Sequence, residues 1–231
     1  MNAIIKKILF FIIITFTLTS CWNEIDDTDV VYTENMTTIQ GYVLTEGGTQ
    51  PVKNLKLNLD WIVKSELGGT HRNIKYFETD STGHFKVDFY VTDLELKHEG
   101  GYNFKFVGEY PNYIDHVYDN ELGTIFLNNR DTVIDKVFFL PRKGYLKVFS
   151  EENLDSISWN IGYKYGDIND PYHSILWVGY KNRIATNIYL YEIAGNQKNY
   201  IEIRDRRTLK VLKTDSIYVT IKDTAIFNIK L

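Results

Sequence analysis

Apolar and polar residues alternate through several short stretches of this chain. That period of two predicts strands with one face buried, because a helix repeats every 3.6 residues and could not gather such sets on one side. In NLKLNLDWIV (54–63), Leu55, Leu57, Leu59 and Trp61 share one face, while Lys56, Asn58 and Asp60 share the other. GHFKVDFYV (83–91) sets Phe85, Val87, Phe89 and Val91 against His84, Lys86, Asp88 and Tyr90. DSISWNIGYKYG (155–166) sets Ile157, Trp159, Ile161, Tyr163 and Tyr165 against Ser158, Asn160, Gly162 and Lys164. From Thr37 onwards no long amphipathic helix pattern occurs, and turn signals separate the runs. The expected class is all-β, with antiparallel sheets packed face to face.

The pattern breaks at FFLPRKGYLKVF (138–149). Pro141 has no ladder donor and Gly144 is permissive, so one strand should end near Leu140 and another begin near Tyr145. Two consecutive β-sandwiches follow, over 37–141 and 144–231, the second expected to be Ig-like. The short linker also allows the two to share a single core.

The N-terminal stretch has a different character. Lys6 and Lys7 precede an apolar and Thr run from Ile8 to Leu18, too short to span a bilayer and of the length of a signal-peptide core. Leu18-Thr19-Ser20-Cys21 resembles the bacterial lipobox. The resemblance implies that 1–20 are removed and that Cys21, the one cysteine, becomes an acylated (palmitate-type) membrane anchor. Residues 21–36 then form a tether with Glu24, Asp26, Asp27 and Asp29 behind the anchor. An acidic cluster there is similar to the Bacteroidetes signal for export to the outer face of the outer membrane, so a surface-exposed location is expected. Without Lys6 and Lys7 the chain has 24 basic against 30 acidic residues, a net charge of −6. No basic run appears, which argues against nucleic acid as a partner.

The first sandwich carries a further resemblance. Ile39, Gly41 and Val43, then Pro51, then Thr79, Asp80, Gly83 and Phe85 match the pattern of the transthyretin-like (carboxypeptidase-regulatory-like) family, and VIDKVFFLP (133–141) suits its last strand. Asp80 and Gly83 should bracket a chain-reversing turn, with Phe85 opening the inward face of the returning strand. The segment 108–130 departs from the family pattern. The whole layout resembles Bacteroidetes lipoproteins that accompany glycan-uptake systems, and in that family the module is generally structural or binding.

Catalysis has little to rest on. The five histidines (71, 84, 98, 116 and 173) are scattered, and no His-Glu-x-x-His, Gly-x-Ser-x-Gly, P-loop or Cys-x-x-Cys occurs. A non-enzyme with no cofactor and no metal site is expected. Asp167-x-Asn169-Asp170 offers oxygen ligands but lacks the glycine and distal acid of a calcium loop. Two segments combine aromatic rings with carboxylates and amides, a mixture suited to sugars. GEYPNYIDHVYDNELG (108–123) supplies Tyr110, Tyr113, His116 and Tyr118, and YGDINDPYHSILW (165–177) supplies Tyr165, Asp167, Asp170, Tyr172 and Trp177. Rings of this kind also fill sandwich cores. Finally, Ser81, Thr132, Ser156, Ser216 and Thr224 each follow an Asp in a triplet resembling the O-glycosylation sequence of exported Bacteroidetes proteins, although Asp-Ser/Thr also starts turns.

The resulting expectation is a non-catalytic surface lipoprotein that binds glycan or assists an outer-membrane transporter complex. The alternatives are a fimbrillin-like adhesin or pilus subunit and a purely structural subunit of a membrane complex.

Overall fold

The computed structural model describes residues 23–24, 35–65, 68–98, 100–114, 121–150, 156–167, 176–178, 182–185 and 187–231. The protein is all-β, built from facing sheets, with one five-residue α-helix and one three-residue 3-10 turn (Glu46–Gly48) among the described residues. In the first half the strands are β1 (Asn23–Glu24), β2 (Met36–Thr45), β3 (Gln50–Pro51), β4 (Lys56–Ser65), β5 (Gly68–Glu78), β6 (His84–Tyr90), β7 (Gly101–Phe106), β8 (Glu121–Ile125) and β9 (Val133–Phe139). The second half holds β10 (Lys143–Ser150), β11 (Ile157–Tyr163), β12 (Gly166–Asp167), β13 (Leu176–Val178), β14 (Asn182–Ala185), β15 (Ile188–Ala194), β16 (Gln197–Asp205), β17 (Val211–Val219) and β18 (Thr224–Ile229).

One sheet runs β1-β5-β4-β7-β8, and the sheet facing it runs β12-β9-β2-β3, with β6 also paired to β2. The alternating faces meet between them. Leu55, Leu57, Leu59 and Trp61 are fully buried, and Phe85 and Phe104 pack from opposite sheets with centroids 5.6 Å apart. Phe138 of β9 stacks on Phe85 at 5.9 Å. Burial of each such ring contributes about 1.5–3 kcal/mol. The second pair of sheets runs β14-β15-β10-β18 and β13-β11-β16-β17. Trp159 crosses between them, edge-on to Tyr189 at 5.1 Å, with its indole N–H donating to the Tyr191 hydroxyl at 2.6 Å. The buried apolar side chains of the two halves form one contiguous cluster.

In each half the first long strand lies beside the last and parallel to it: β2 with β9, and β10 with β18. At the centre of the first pair sits Gly41, with φ of 152°. A Cβ there would stand 1.7 Å from the Lys136 carbonyl oxygen, so only glycine permits the approach.

The expected turn after β5 is present. The Asp80 carboxylate accepts from the Thr82 N–H and hydroxyl at 2.7 Å each and from the His84 N–H at 3.0 Å. Gly83 follows at φ 75°, and its N–H donates to the Asp80 carbonyl. Thr79 is buried, its hydroxyl tying the end of β5 to the β3–β4 connection by donating to the Val52 carbonyl and accepting from the Leu55 N–H. Each motif residue therefore has a geometric task.

The polar face of β4 is solvated at Lys56 and buried beyond it. Asn58 and Asp60 are buried under their neighbours, Asn58 donating to Asp60, with His71 and Lys105 3.5 and 3.6 Å from the carboxylate. A second buried ion pair closes the end of this sandwich. Helix α1 (Asp93–Lys97) is capped by Thr92, and the Glu95 carboxylate accepts from the Thr92 N–H. Arg72 engages both oxygens of Glu95, at 2.7 and 2.8 Å, and Tyr102 donates to it at 3.1 Å. Burial and the Glu95 charge push the Tyr102 hydroxyl well above the usual phenol range.

Candidate functional site

The two segments singled out in the sequence meet at one edge of the first sandwich. β11 ends at Tyr163, and Gly166, at φ 71°, turns the chain so that β12 adds antiparallel to β9. A Cβ at Gly166 would be 2.9 Å from the Leu122 carbonyl. Here the Tyr165 hydroxyl donates to the Glu121 carbonyl at 3.0 Å, and Asp167 takes a hydrogen bond from Lys136. Tyr165 and Asp167 are both buried, so the structure gives each an internal partner at this junction.

The start of the first segment is similarly anchored. Tyr110 accepts from the Lys56 N–H at 2.9 Å and packs edge-on against Phe106 and Tyr113. Tyr113 bridges to Arg142, and burial raises its hydroxyl above the ordinary tyrosine value. His116, Tyr118, Asp170 and Tyr172 lie outside the described residues, as does Cys21.

Trp177 stands apart from this group and is 45% exposed. Its place follows from register. Ile161 and Tyr163 point into the core, so Gly162 between them faces outward. Gly162 is directly opposite Trp177 on β13 and Tyr200 on β16. Two aromatic residues thus flank a glycine on the outer face, separated by two strand spacings, about 9.5 Å. Next along β16, Lys198 lies opposite Tyr218 of β17, which is 63% exposed, and the Lys198 ammonium sits 5.6 Å from the Tyr200 ring.

At the end of this face a cleft of about 200 Å³ opens between the halves, lined by Gly47, Lys164, Asn196, Gln197, Lys198 and Tyr200. Its floor is held in place. The Gln197 side chain accepts from the Gly47 N–H at 3.0 Å and donates to the Lys164 carbonyl at 3.4 Å. Glu46 beside it is engaged by Arg142 and Asn196 at 3.3 and 3.2 Å. Sequence reading missed Tyr200, Lys198 and Lys164. The available signal was Gly162, a residue without a side chain inside an otherwise regular strand.

The Asp-Ser/Thr positions divide by exposure. Ser81, Ser156 and Thr224 are exposed, while Thr132 and Ser216 are half-buried, Thr132 donating to Asn129. The Ser216 and Thr224 N–H groups each donate at 2.7 Å to the carboxylate of the preceding Asp. Among the described residues no three His, Cys, Asp or Glu side chains group so as to hold a metal.

No protein-family model matches the chain. No curated protein matches it. Among solved structures, the Bacillus anthracis TIE protein is similar at TM-score 0.32 and 12% identity, over 84% of this chain and 34% of that one. A streptococcal ancillary pilin is similar at 0.32 and 10%, over 89% and 68%. A variant of the shaft pilin SpaA from Lactobacillus rhamnosus GG is similar at 0.30 and 7%, over 84% and 96%. The chain thus spans about a third of the first of these proteins. Similarity of this size assigns neither a family nor an activity.

Proposed function

We propose that the protein is a non-catalytic binding module, lipid-anchored through Cys21 at the outer-membrane surface, that takes up saccharide on the outer face of the β13-β11-β16-β17 sheet. The observation that carries this reading is the row Trp177–Gly162–Tyr200, with Tyr218 nearby. Sugar rings stack their C–H faces on aromatic residues, and Trp177 and Tyr218 present theirs at 45% and 63% exposure on this face. Lipidation and the acidic tether rest on the lipobox-like sequence and on Glu24, Asp26, Asp27 and Asp29.

The test is a glycan array probed with the full-length lipoprotein in detergent, alongside purification from native outer membranes with mass spectrometry of what accompanies it. Saccharide binding that weakens in Trp177→Ala and Tyr200→Ala supports the reading. Absence of both a glycan and a co-purifying transporter overturns it. Acyl labelling that persists in Cys21→Ala overturns the anchor.

A second reading, a subunit that assembles by strand addition, is favoured by the edge strand β18. It ends its sheet, paired to β10 on one side, and carries the exposed Ile226. SDS-resistant ladders of the native protein would support it, and a strictly monomeric native protein would remove it.

A further inference from the structure

We infer that the saccharide held by this face is acidic, a carboxylate-bearing oligosaccharide whose charge is met by Lys164 and Lys198 at the cleft. The inference rests on the saccharide reading above and adds the ligand class.

Charge points to it. Lys164 and Lys198 are exposed, and neither has a carboxylate partner among the described residues. The acids nearby are already engaged: Glu46 by Arg142 and Asn196, and Glu202 by Arg204. Two lysines without a carboxylate partner among the described residues therefore line one cavity, the Lys198 ammonium also 5.6 Å from the Tyr200 ring.

Shape agrees with this. A cleft of about 200 Å³ is roughly the size of one hexose ring, and the fixed Gln197 and Asn196 amides offer polar contacts on its floor. From Tyr200 the row continues across Gly162 to Trp177, about 9.5 Å away, the reach of roughly two further rings. One ring in the cleft between the lysines and others stacked along the row would use every feature of the face. A free inorganic anion would use only the lysines.

The experiment titrates the full-length protein in detergent with three probes: a galacturonate trimer, a neutral glucose trimer and inorganic phosphate. The galacturonate trimer should bind at least about tenfold more tightly than the neutral trimer. Lys164→Ala with Lys198→Ala should remove that advantage, and Trp177→Ala should weaken both trimers. Both lysines are exposed, so their loss leaves the fold in place. Equal binding of the two trimers, or an unchanged galacturonate affinity in the double lysine variant, overturns the acidic-ligand inference while leaving the saccharide reading intact. Phosphate that competes as well as the trimer reduces the site to simple anion binding and overturns it as well. Failure of every saccharide to bind overturns both readings together.

Discussion

Lys136 of β9 donates a hydrogen bond to Asp167 of β12, joining the two halves through a carboxylate that is only 7% exposed. Removing the lysine takes a counter-charge away from a buried carboxylate. Lys136→Met should therefore lower stability by about 2–4 kcal/mol, more than a surface ion pair would. Adding Asp167→Leu to that variant should recover part of the loss. Urea unfolding of the three proteins measures both effects, and equal midpoints for wild type and Lys136→Met would refute the assignment.

Gly41→Ala should be among the most damaging single substitutions. The added methyl would overlap the Lys136 carbonyl, and the φ of 152° is itself unfavourable for alanine. A loss above about 3 kcal/mol, or failure to fold, is expected. Far-ultraviolet circular dichroism with a thermal melt reads it, and a midpoint within a few degrees of wild type would contradict the close approach.

Trp61 is buried with its indole N–H unpaired among the described residues, and its ring lies against Gly100, where a Cβ would come within 2.4 Å. Trp61→Phe removes the orphan donor and opens a small void. The two effects oppose each other, so the net change should stay within about 1.5 kcal/mol, against about 3–5 for Trp61→Ala. Gly100→Ala should cost about 1–3 kcal/mol through overpacking. Chemical denaturation ranks the three, and a Phe variant as weak as the Ala variant would show that the indole N–H is satisfied.

Asp80 should contribute to acid sensitivity. The hydrogen bonds from Thr82, then the His84 N–H and ring, hold its carboxyl below the usual carboxylate value. A depressed folded value means that the stabilisation is present above the unfolded value and is lost as pH falls through the folded one. Asp80→Asn keeps the turn's acceptor without the charge. The slope of unfolding midpoint against pH, from about 6 down to about 2.5, should be shallower in that variant, and parallel slopes would exclude the contribution.

Much of the first sandwich was legible because its strands obey one rule. Leu55, Leu57, Leu59, Trp61, Phe85 and Val87 are all within a few per cent of complete burial, as their period of two requires. The turn itself was equally readable, since Asp80 bonds only Thr82, Gly83 and His84 to close it. Arg72 and Glu95 were not readable, because they lie 23 residues apart and only the sandwich brings them together. The helix capped by Thr92 and Glu95 went unread because, at five residues, it has no apolar stripe to announce it. β12 escaped because two residues joined by backbone hydrogen bonds leave no side-chain pattern. The outer-face row escaped for a similar reason. Trp177, Gly162 and Tyr200 are neighbours by register alone, and register depends on how three separate strands align.

The parallel pairing of β2 with β9 and of β10 with β18 has a mechanical consequence. A chain held at its N-terminal end and pulled from the other draws β2 against β9, and β10 against β18, along their lengths in opposite directions. The evenly spaced, slanted hydrogen bonds of a parallel ladder then bear the force together and do not open one after another from an end. Each half behaves as a shear clamp. Tension along the chain must overcome a whole ladder at once before either half can lengthen.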